Sequence, residues 1–476
     1  MENKKQLYIT TAIPYVNGEP HLGHAIDYLI ADVMKRYYRA RGYQVQLQVG
    51  TDEHGNKIAN KAKSLNIAVE DLVSKNANIF RNFIDSLGVE YDSFIRTSDP
   101  AHMRRVQKIW QKLVPHIYKA KYEGWYCQSC EAFITRKEYE KNGGHCPIHR
   151  DLPCEKIAEE NYYLRIADFK DQIKHAIEKE EMKITPSWRK KEFLNLLVDM
   201  PDVSISRPKT QVSWGIEVPG DDQQVMYVWL DALSNYLTVL GYPEKDITGT
   251  WPAELQIVGK DILRFHAGIW PTILLGLGLE LPHNLLAHGF VTLAGEKMSK
   301  SLGNVIAPRE ILAKYGLDPF RYYFLHHGSV VEDIDFTWDK YEASYLELAN
   351  DLGNLVQRLA NLCEKQGVGN IRAEKDYLDE EKIDQCMTNY KINECFDYLW
   401  TKIQALNKKI DQEKPWALAK SEPEKARLLL TELGAKILAI NAKLAWFLPG
   451  TAAKIDTIFQ AEKVHKPETT LFPKKS

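Results

Sequence analysis

The chain has 476 residues, of which 44% are apolar and 26% charged, a balance that is ordinary for a folded protein and excludes intrinsic disorder. Its net charge of −2 excludes a generally basic nucleic-acid binder, so any nucleic-acid site must be local. No apolar run reaches the ~18 residues of a membrane span, and the N-terminus has no signal-peptide pattern. We therefore expect a cytoplasmic protein without membrane attachment.

The N-terminal region alternates strand and helix patterns. Four short apolar runs have the composition of buried strands: Gln6–Ala12, Gln44–Gly50, Leu255–Val258 and Leu285–His288. Apolar residues repeat at helical spacing from His21 until a stop at Gly42. Strand, turn, helix and strand in this order predict an α/β fold with a doubly wound, parallel, Rossmann-like sheet.

The pattern changes twice along the chain and predicts four segments. We expect the first half of the catalytic domain at 1–117, an insertion at 118–219, the second half at 220–325, and a linker with an α-helical bundle at 326–476. In the last segment, three long stretches have helical periodicity: Tyr345–Cys363, Glu380–Glu413 and Lys425–Phe447. Glycine and proline are scarce there, which favours a helical bundle.

Four of the seven cysteines lie within the insertion. Cys127-x₂-Cys130 and Cys146-x₂-His149 form two close pairs separated by a loop, which is the ligand spacing of a structural, four-coordinate zinc ion. Cys154 could replace His149 as the fourth ligand, and free thiols are the alternative interpretation. The pattern predicts one structural zinc ion.

Two short motifs indicate phosphate chemistry. His21-Leu-Gly23-His24 begins a helix directly after the first strand, where backbone N–H groups and the helix dipole attract anions. The second motif includes Lys297, Ser299 and Lys300 between glycines, as in a loop that closes over a polyphosphate. Taken alone, the motifs are also compatible with two surface histidines and an ordinary solvated basic loop.

Together, H-x-G-H and K-M-S-K-S are the signature pair of class I aminoacyl-tRNA synthetases, and the chain resembles the methionyl-tRNA synthetase family. Five stretches carry the resemblance: Thr11–His24, Thr51–Gly55, Asp202–Pro208, Tyr227–Ala232 and Gly259–Ile262. It implies a ligase that activates L-methionine with ATP and transfers it to tRNA(Met), including the initiator tRNA, for protein synthesis. The insertion, about 100 residues long, is too small for the editing domain of the isoleucine, valine and leucine enzymes.

The resemblance also assigns residues. It implies catalytic roles for His21, His24, Lys297 and Lys300, and ATP contacts that add Gly23, Gly259, Asp261 and Ser299, with Mg²⁺ accompanying ATP. The implied methionine pocket consists of Ile13, Tyr15, Asp52, Trp229, Ala232, Leu233, Tyr236, Ile262 and His266, with Asp52 on the ammonium group. By spacing alone, Trp229 and Tyr236 are better explained as core residues.

For the bundle, the resemblance implies anticodon contacts by Asn354, Arg358 and Trp416, although the sequence alone favours Trp416 as a core residue after Pro415. Many relatives continue into a further tRNA-binding and dimerising domain, whereas this sequence stops at Ser476, so we expect a monomer. Two other functions compete: a small-molecule nucleotidyltransferase, and a zinc-containing RNA-binding protein without catalysis. Methionine-dependent ATP–pyrophosphate exchange separates them from the synthetase.

Overall fold

The structure, a computed structural model, describes residues 5–127, 132–134, 136–147, 151–297, 306–473 and 475. Its strands are β1 (Gln6–Thr11), β2 (Gln44–Thr51), β3 (Ser93–Arg96), β4 (Ile117–Cys127), β5 (Ala132–Ile134), β6 (Glu155–Leu164), β7 (Lys183–Thr185), β8 (Val203–Ser204), β9 (Ser206–Pro208), β10 (Glu217–Val218), β11 (Asp221–Met226), β12 (Leu255–Gly259), β13 (Asn284–His288), β14 (Val291–Leu293), β15 (Glu296–Lys297) and β16 (Ile334–Phe336).

The α-helices in the described ranges are α1 (Leu22–Ala40), α2 (Asn56–Leu65), α3 (Val69–Ser86), α4 (Pro100–Leu113), α5 (Arg136–Lys141), α6 (Lys170–Glu178), α7 (Ser187–Val198), α8 (Val228–Thr238), α9 (Trp270–Gly276), α10 (Pro308–Tyr315), α11 (Leu317–His326), α12 (Trp338–Leu348), α13 (Asn354–Lys365), α14 (Glu380–Thr388), α15 (Ile392–Glu413), α16 (Pro415–Ser421), α17 (Pro423–Phe447) and α18 (Pro449–Phe459). Among them, none is both long and apolar enough to cross a membrane.

A six-stranded parallel sheet in the order β3-β2-β1-β12-β13-β7 forms the centre of the fold. The chain builds outward from β1 through β2 to β3 and then resumes on the other side of β1 with β12 and β13. This reversal leaves a crevice at the carboxyl ends of β1 and β12, where ligands bind in doubly wound folds. The predicted Rossmann-like class is confirmed.

One strand of this sheet comes from inside the segment that we expected to be wholly an insertion. β7 pairs in parallel with β13, and α6 and α7 on either side of it contribute Ile173 and Phe193 to a buried cluster with Val258. The interpretation of 118–219 as a separate unit is therefore wrong for this part. A strand of three residues with one buried side chain, Ile184, gives no periodicity signal.

The rest of the insertion is antiparallel. Its sheet has the order β5-β4-β6-β8, and β4 and β6 pair along ten residues, from Ile117 opposite Leu164 to Tyr126 opposite Glu155. A separate three-stranded sheet, β10-β11-β9, follows it in the chain. The long β4–β6 ribbon thus carries the tip of the insertion, where the cysteines lie, away from the parallel sheet.

The C-terminal region is helical from α12 to α18, as the periodicity predicts, with one correction. The stretch 380–413 is not a single helix, because it breaks between α14 and α15 at Tyr390, whose φ is +58°. Since Tyr390 is 3% exposed, its burial continues the apolar pattern across the break. Periodicity alone therefore could not locate this turn.

The parallel sheet and the bundle share one hydrophobic core, which includes Leu29 of α1, Phe320 of α11 and Phe447 of α17. At its centre lies the fully buried guanidinium of Arg321. It donates to the carboxylate of Asp32 at 2.7 Å and to the Phe447 carbonyl at 2.6 Å. Arg321 of α11 thus contacts both the first helix of the sheet domain, through Asp32, and the bundle, through Phe447.

Candidate active site

A cavity of about 680 Å³ opens at the carboxyl ends of β1 and β12. It is lined by fourteen of the residues for which the resemblance implies nucleotide or methionine contacts: Ile13, Tyr15, His21, Gly23, His24, Asp52, Trp229, Ala232, Leu233, Tyr236, Gly259, Asp261, Ile262 and His266. These side chains come from five separate parts of the sequence. The fold brings them together at the crevice that the sheet order creates.

The anion-binding end of the cavity is formed by the N-terminus of α1. His21 is the N-cap, and its Nδ1 accepts from the Gly23 N–H at 3.1 Å, while His24 Nδ1 accepts from the His21 N–H at 3.1 Å. The two rings stack with their centroids 3.8 Å apart. Because each Nδ1 acts as an acceptor, each neutral imidazole carries its proton on Nε2. The two histidines thus combine donor groups with the positive end of a helix dipole.

The apolar wall of the cavity is the first two turns of α8 and the segment that follows β12. Trp229 stacks on Phe265 with a centroid separation of 3.5 Å, and both Ala232 and Leu233 are buried beside the cavity. The expectation from spacing that Trp229 and Tyr236 are only core residues is therefore incomplete. Tyr236 is 1% exposed and also lines the cavity.

Tyr236 and His266 form a buried pair with a defined tautomer. His266 Nδ1 lies 3.0 Å from the Ile262 carbonyl and therefore donates to it, so Nε2 accepts from the Tyr236 hydroxyl at 2.8 Å. Burial lowers the pKa of His266 to about 4. The ring is consequently neutral at physiological pH, and the cavity wall offers polarizable aromatic surface with a fixed hydroxyl orientation.

Asp52 directly follows β2 and lies 4% exposed at the cavity. Its N–H donates to the Pro14 carbonyl at 2.9 Å, and its carbonyl accepts from the Val16 N–H at 3.2 Å. These backbone bonds tie the end of β2 to the loop after β1. They place one carboxylate at the boundary between the apolar wall and the anion-binding end.

Behind this wall, Asp231 of α8 is held by two histidines. His54 Nδ1 lies 2.6 Å and His102 Nε2 lies 2.8 Å from the Asp231 carboxylate, and all three side chains are at most 3% exposed. Although burial acts against it, the two imidazoles lower the pKa of Asp231 to about 2. The network fixes the helix that carries Trp229 and Tyr236 against α4 and the segment after β2.

The sequence analysis missed a second buried pair in the cavity. His288, at the end of β13, places Nε2 2.9 Å from the Asp27 carboxylate and Nδ1 2.7 Å from the Gly289 carbonyl. Burial opposes protonation, but Asp27 raises the pKa of His288. Asp27 stands three residues after His24 on the same face of α1, and that spacing is the signal that could have identified it.

A short hairpin precedes the predicted basic loop in the chain. Ala294 and Gly295, both with positive φ, join β14 to β15, and the Gly295 N–H donates to Asp335 at 2.6 Å. The structure places Lys297 in β15 without describing its side chain, while Ser299 and Lys300 lie outside the described residues. Their proposed phosphate contacts remain predictions from sequence.

In the insertion, Cys127, Cys146 and Cys154 come together in a small buried cluster, none of them more than 7% exposed. The six cysteines that the structure describes form no disulfide bond. Burial raises the pKa of Cys154, and the neighbouring sulfurs of Cys127 and Cys146 add to this effect. Cys130 and His149 lie outside the described residues. Three neighbouring thiols are soft donors of the kind that zinc prefers, and Cys154, the alternative fourth ligand, is one of them.

In the bundle, the three residues with implied anticodon roles lie on one face. Asn354 and Arg358 are one turn apart on α13, and the Arg358 guanidinium lies 4.9 Å from the centre of the Trp416 ring. Trp416 is 42% exposed, so the expectation of a core tryptophan is wrong. The structure brings an exposed aromatic ring, a cation and an amide together on the surface.

This combination of a doubly wound sheet, a histidine-capped first helix and a helical bundle defines a class of nucleotide-using enzymes, and comparison with known proteins identifies it. The sequence matches the family described as tRNA synthetases class I (M) over residues 7–156 and 145–360, so the chain is a class I tRNA synthetase.

Similar proteins show which of the class I tRNA synthetases this chain is related to. The chain is 39% identical to the methionine–tRNA ligase of Clostridium acetobutylicum over 97% of its length and 74% of that protein, and 36% identical to that of Brucella melitensis over 96% and 92%. Among solved structures, the Mycobacterium tuberculosis methionyl-tRNA synthetase in complex with methionyl-adenylate superposes with a TM-score of 0.91 at 30% identity, covering 99% of this chain and 100% of that one. The chain belongs to the methionyl-tRNA synthetase family.

Proposed function

We propose that the chain joins L-methionine to tRNA in two steps, with ATP as the energy source. The observation that carries the proposal is a single cavity that combines a histidine-capped helix N-terminus, one buried carboxylate and an aromatic wall. These three features match the phosphates, the ammonium group and the thioether side chain of the two substrates. Membership in the methionyl-tRNA synthetase family supports the same activity.

In the first step, a methionine carboxylate oxygen attacks the α-phosphorus of ATP, the bond to the β-phosphate oxygen breaks, and methionyl-adenylate and pyrophosphate form. Negative charge accumulates on the phosphoryl oxygens in the transition state. We assign the stabilisation of this charge to the Nε2–H groups of His21 and His24 and to the N-terminus of α1, because both Nδ1 atoms are already used as acceptors. Lys297, in β15, and Lys300, three residues further along the sequence, are assigned to the departing pyrophosphate. The chain itself supplies no covalent nucleophile.

The nucleoside of ATP is assigned to the carboxyl end of β12. A Cβ atom on Gly259 would lie 2.8 Å from the Asp261 carboxylate, so the lack of a side chain at this position lets the carboxylate lie close to the end of β12. Asp261 lines the cavity and can accept hydrogen bonds from ribose hydroxyls. Mg²⁺ accompanies ATP and neutralises phosphate charge during transfer.

Methionine is assigned to the opposite end of the cavity. Asp52 accepts hydrogen bonds from the ammonium group, and Ile13, Tyr15 and Trp229 cover the side chain. The thioether forms few hydrogen bonds, so recognition relies on shape and on sulfur–aromatic contacts, each worth about 0.3–1.5 kcal/mol. The Tyr236 hydroxyl donates to Nε2 of His266. Because this imidazole is neutral, it places no charge beside the thioether.

In the second step, a ribose hydroxyl at the 3′ end of tRNA(Met) attacks the methionyl carbonyl carbon, and AMP leaves. We assign tRNA reading to the exposed group of Asn354, Arg358 and Trp416, because unpaired RNA bases stack on aromatic rings and pair with amide and guanidinium groups. This surface and the cavity belong to one folded unit with a shared core.

We also propose one structural zinc ion in the insertion. Cys127, Cys146 and Cys154 are neighbours in one buried cluster and supply three sulfurs, and the remaining ligand comes from Cys130 or His149. Four protein ligands leave no open coordination position, so such an ion stabilises the tip of the insertion and takes no part in the chemistry.

The experiment that tests the function is ATP–pyrophosphate exchange with purified protein and single amino acids. Methionine should support exchange, whereas leucine and isoleucine should not, and His24→Ala should lower the rate by about 10²-fold or more. His283→Ala is the matched control, because His283 also pairs with a carboxylate, Glu254, but lies outside the cavity. Absence of exchange with methionine, in protein that binds tRNA, would favour an RNA-binding protein without catalysis.

A further inference from the structure

A second cluster of metal-ligating side chains lies outside the insertion, where α11 meets α12 and α15. His326 is the last residue of α11, His327 follows it, Glu347 lies near the end of α12 and Asp397 lies on α15. One ligand atom from each of His326, His327 and Glu347 falls within 4.8 Å of the others, the only such group of three among the described residues.

The distances within this cluster fit ligands of one ion. His327 Nε2 lies 3.1 Å from a Glu347 carboxylate oxygen, and a ligand atom of His326 lies within 4.8 Å of ligand atoms of both. In a tetrahedral zinc site with bonds of about 2.0–2.1 Å, neighbouring ligand atoms are about 3.3 Å apart. Zinc accepts both imidazole and carboxylate ligands, whereas Mg²⁺ and Ca²⁺ take oxygen ligands, so the two imidazoles favour zinc.

Three further observations favour a bound cation beside His326 and His327. His326 Nδ1 is buried and has no hydrogen-bond partner among the residues that the structure describes, although buried polar atoms are nearly always satisfied. The other ring nitrogen donates to Asp397, which is how a carboxylate typically orients a metal-binding histidine. In addition, both histidines stand at the C-terminal end of α11, where the helix dipole favours a cation.

The surroundings allow an ion to enter and then to be held. The side chains of His327 and Glu347 are about one-third exposed and line a surface cleft, whereas His326 is 8% exposed beneath the rings of Tyr322 and Phe396. One side of the cluster is thus open to solvent, and the other is enclosed by aromatic surface. Such asymmetry suits a bound ion with one water ligand.

We propose that His326, His327 and Glu347 form a zinc site, with Asp397 orienting His326, that holds α11 against α12 and α15. α11 lies between the segment that carries the basic loop and the bundle, so the ion joins the catalytic side of the molecule to the RNA-reading side. The site is independent of the cysteine cluster in the insertion, which shares no residue with it.

The test measures the number of zinc ions bound per chain, by elemental analysis after dialysis against buffer with a defined free Zn²⁺ concentration. Cys127→Ser removes the insertion site and should leave one bound zinc ion per chain. Adding His327→Gln or Glu347→Gln should abolish this remaining ion and lower zinc affinity by more than about 100-fold, since even outer ligand partners change affinity by about 10–100-fold. Both substituted side chains are partly exposed, so the variants should fold.

His465→Gln is the matched control, because His465 pairs with Glu364 at the same 3.1 Å separation but has no third ligand-forming side chain beside it in the described structure. It should keep the zinc content of its parent. Co²⁺ bound by Cys127→Ser should show no thiolate charge-transfer band, as expected for nitrogen and oxygen ligands. The proposal is overturned if Cys127→Ser binds no zinc, or if His327→Gln and Glu347→Gln retain it. Neither result bears on methionine-dependent exchange, which serves as the assay for a folded catalytic domain.

Discussion

Replacing Trp416 by alanine should separate the two reactions of the enzyme. The ring is 42% exposed, with one side near Arg358, and it lies on the bundle, away from the cavity at β1 and β12. If an anticodon base covers the exposed part, about 100 Å² of ring surface leaves water, which at about 25 cal/mol per Å² is worth about 2.5 kcal/mol. Measured base–aromatic stacking falls in the same range, about 1–3 kcal/mol.

Trp416→Ala should therefore lower kcat/KM for tRNA in aminoacylation by about 5- to 150-fold, which is the same free energy expressed as a ratio. Methionine-dependent ATP–pyrophosphate exchange should stay within about 2-fold of wild type, because the cavity contains no part of α16. The loss of stability should stay well below the ~3–5 kcal/mol of a buried tryptophan.

Trp188→Ala is the control for this experiment, since Trp188 is 50% exposed but lies on α7, beside the parallel sheet. It should leave both reactions unchanged. Equal loss of exchange and charging by Trp416→Ala, together with a large drop in melting temperature, would refute the stacking role. Unchanged charging would refute it as well.

Three further perturbations test the cavity and the insertion. Lys300→Ala should slow adenylate formation by about 10²–10³-fold while equilibrium methionine binding, measured by calorimetry, stays the same; a parallel loss of affinity would contradict its assignment to pyrophosphate. Because burial lowers the pKa of His266 to about 4, protonation favours the unfolded state, and the free energy of unfolding should fall by up to about 3 kcal/mol as the pH drops from about 6.5 to 4. His266→Gln should lose this part of the slope in urea titrations, and an identical slope would argue against a buried neutral imidazole. Cys127→Ser should release one zinc ion and destabilise the insertion but not the sheet; wild-type protein without zinc at the insertion would contradict the assignment.

The sequence predicts the position of a site residue well when that residue also begins a helix or directly follows a strand. The H-x-G-H motif, for example, is both the proposed phosphate site and the N-terminus of α1, so its position in the helix determines its geometry. Asp52 and Gly259 follow strands of a parallel sheet, whose carboxyl ends meet at one edge. In these cases, knowing the element is enough to place the side chain.

Other features depend on contacts that have no local pattern. Asp27 and His288 form a pair although they are 261 positions apart in the sequence. The short strand β7 is defined by its hydrogen-bonded pairing with β13 and not by a pattern of its own. Trp416 follows a proline at a helix start, which is equally compatible with a buried or an exposed ring. Its exposure results from the way α13 and α16 meet, and that relation is tertiary.

The buried pair of Arg321 and Asp32 has a consequence for how the molecule comes apart. The pair itself joins α1 to α11, and the same guanidinium donates to the Phe447 carbonyl of the bundle. Moving the bundle off the sheet would leave this buried guanidinium without one of its acceptors, so we expect the sheet and the bundle to unfold as a single cooperative unit. The cysteine cluster has its own small core at the end of a long ribbon, so we expect the tip of the insertion to unfold locally while the parallel sheet and the bundle stay native.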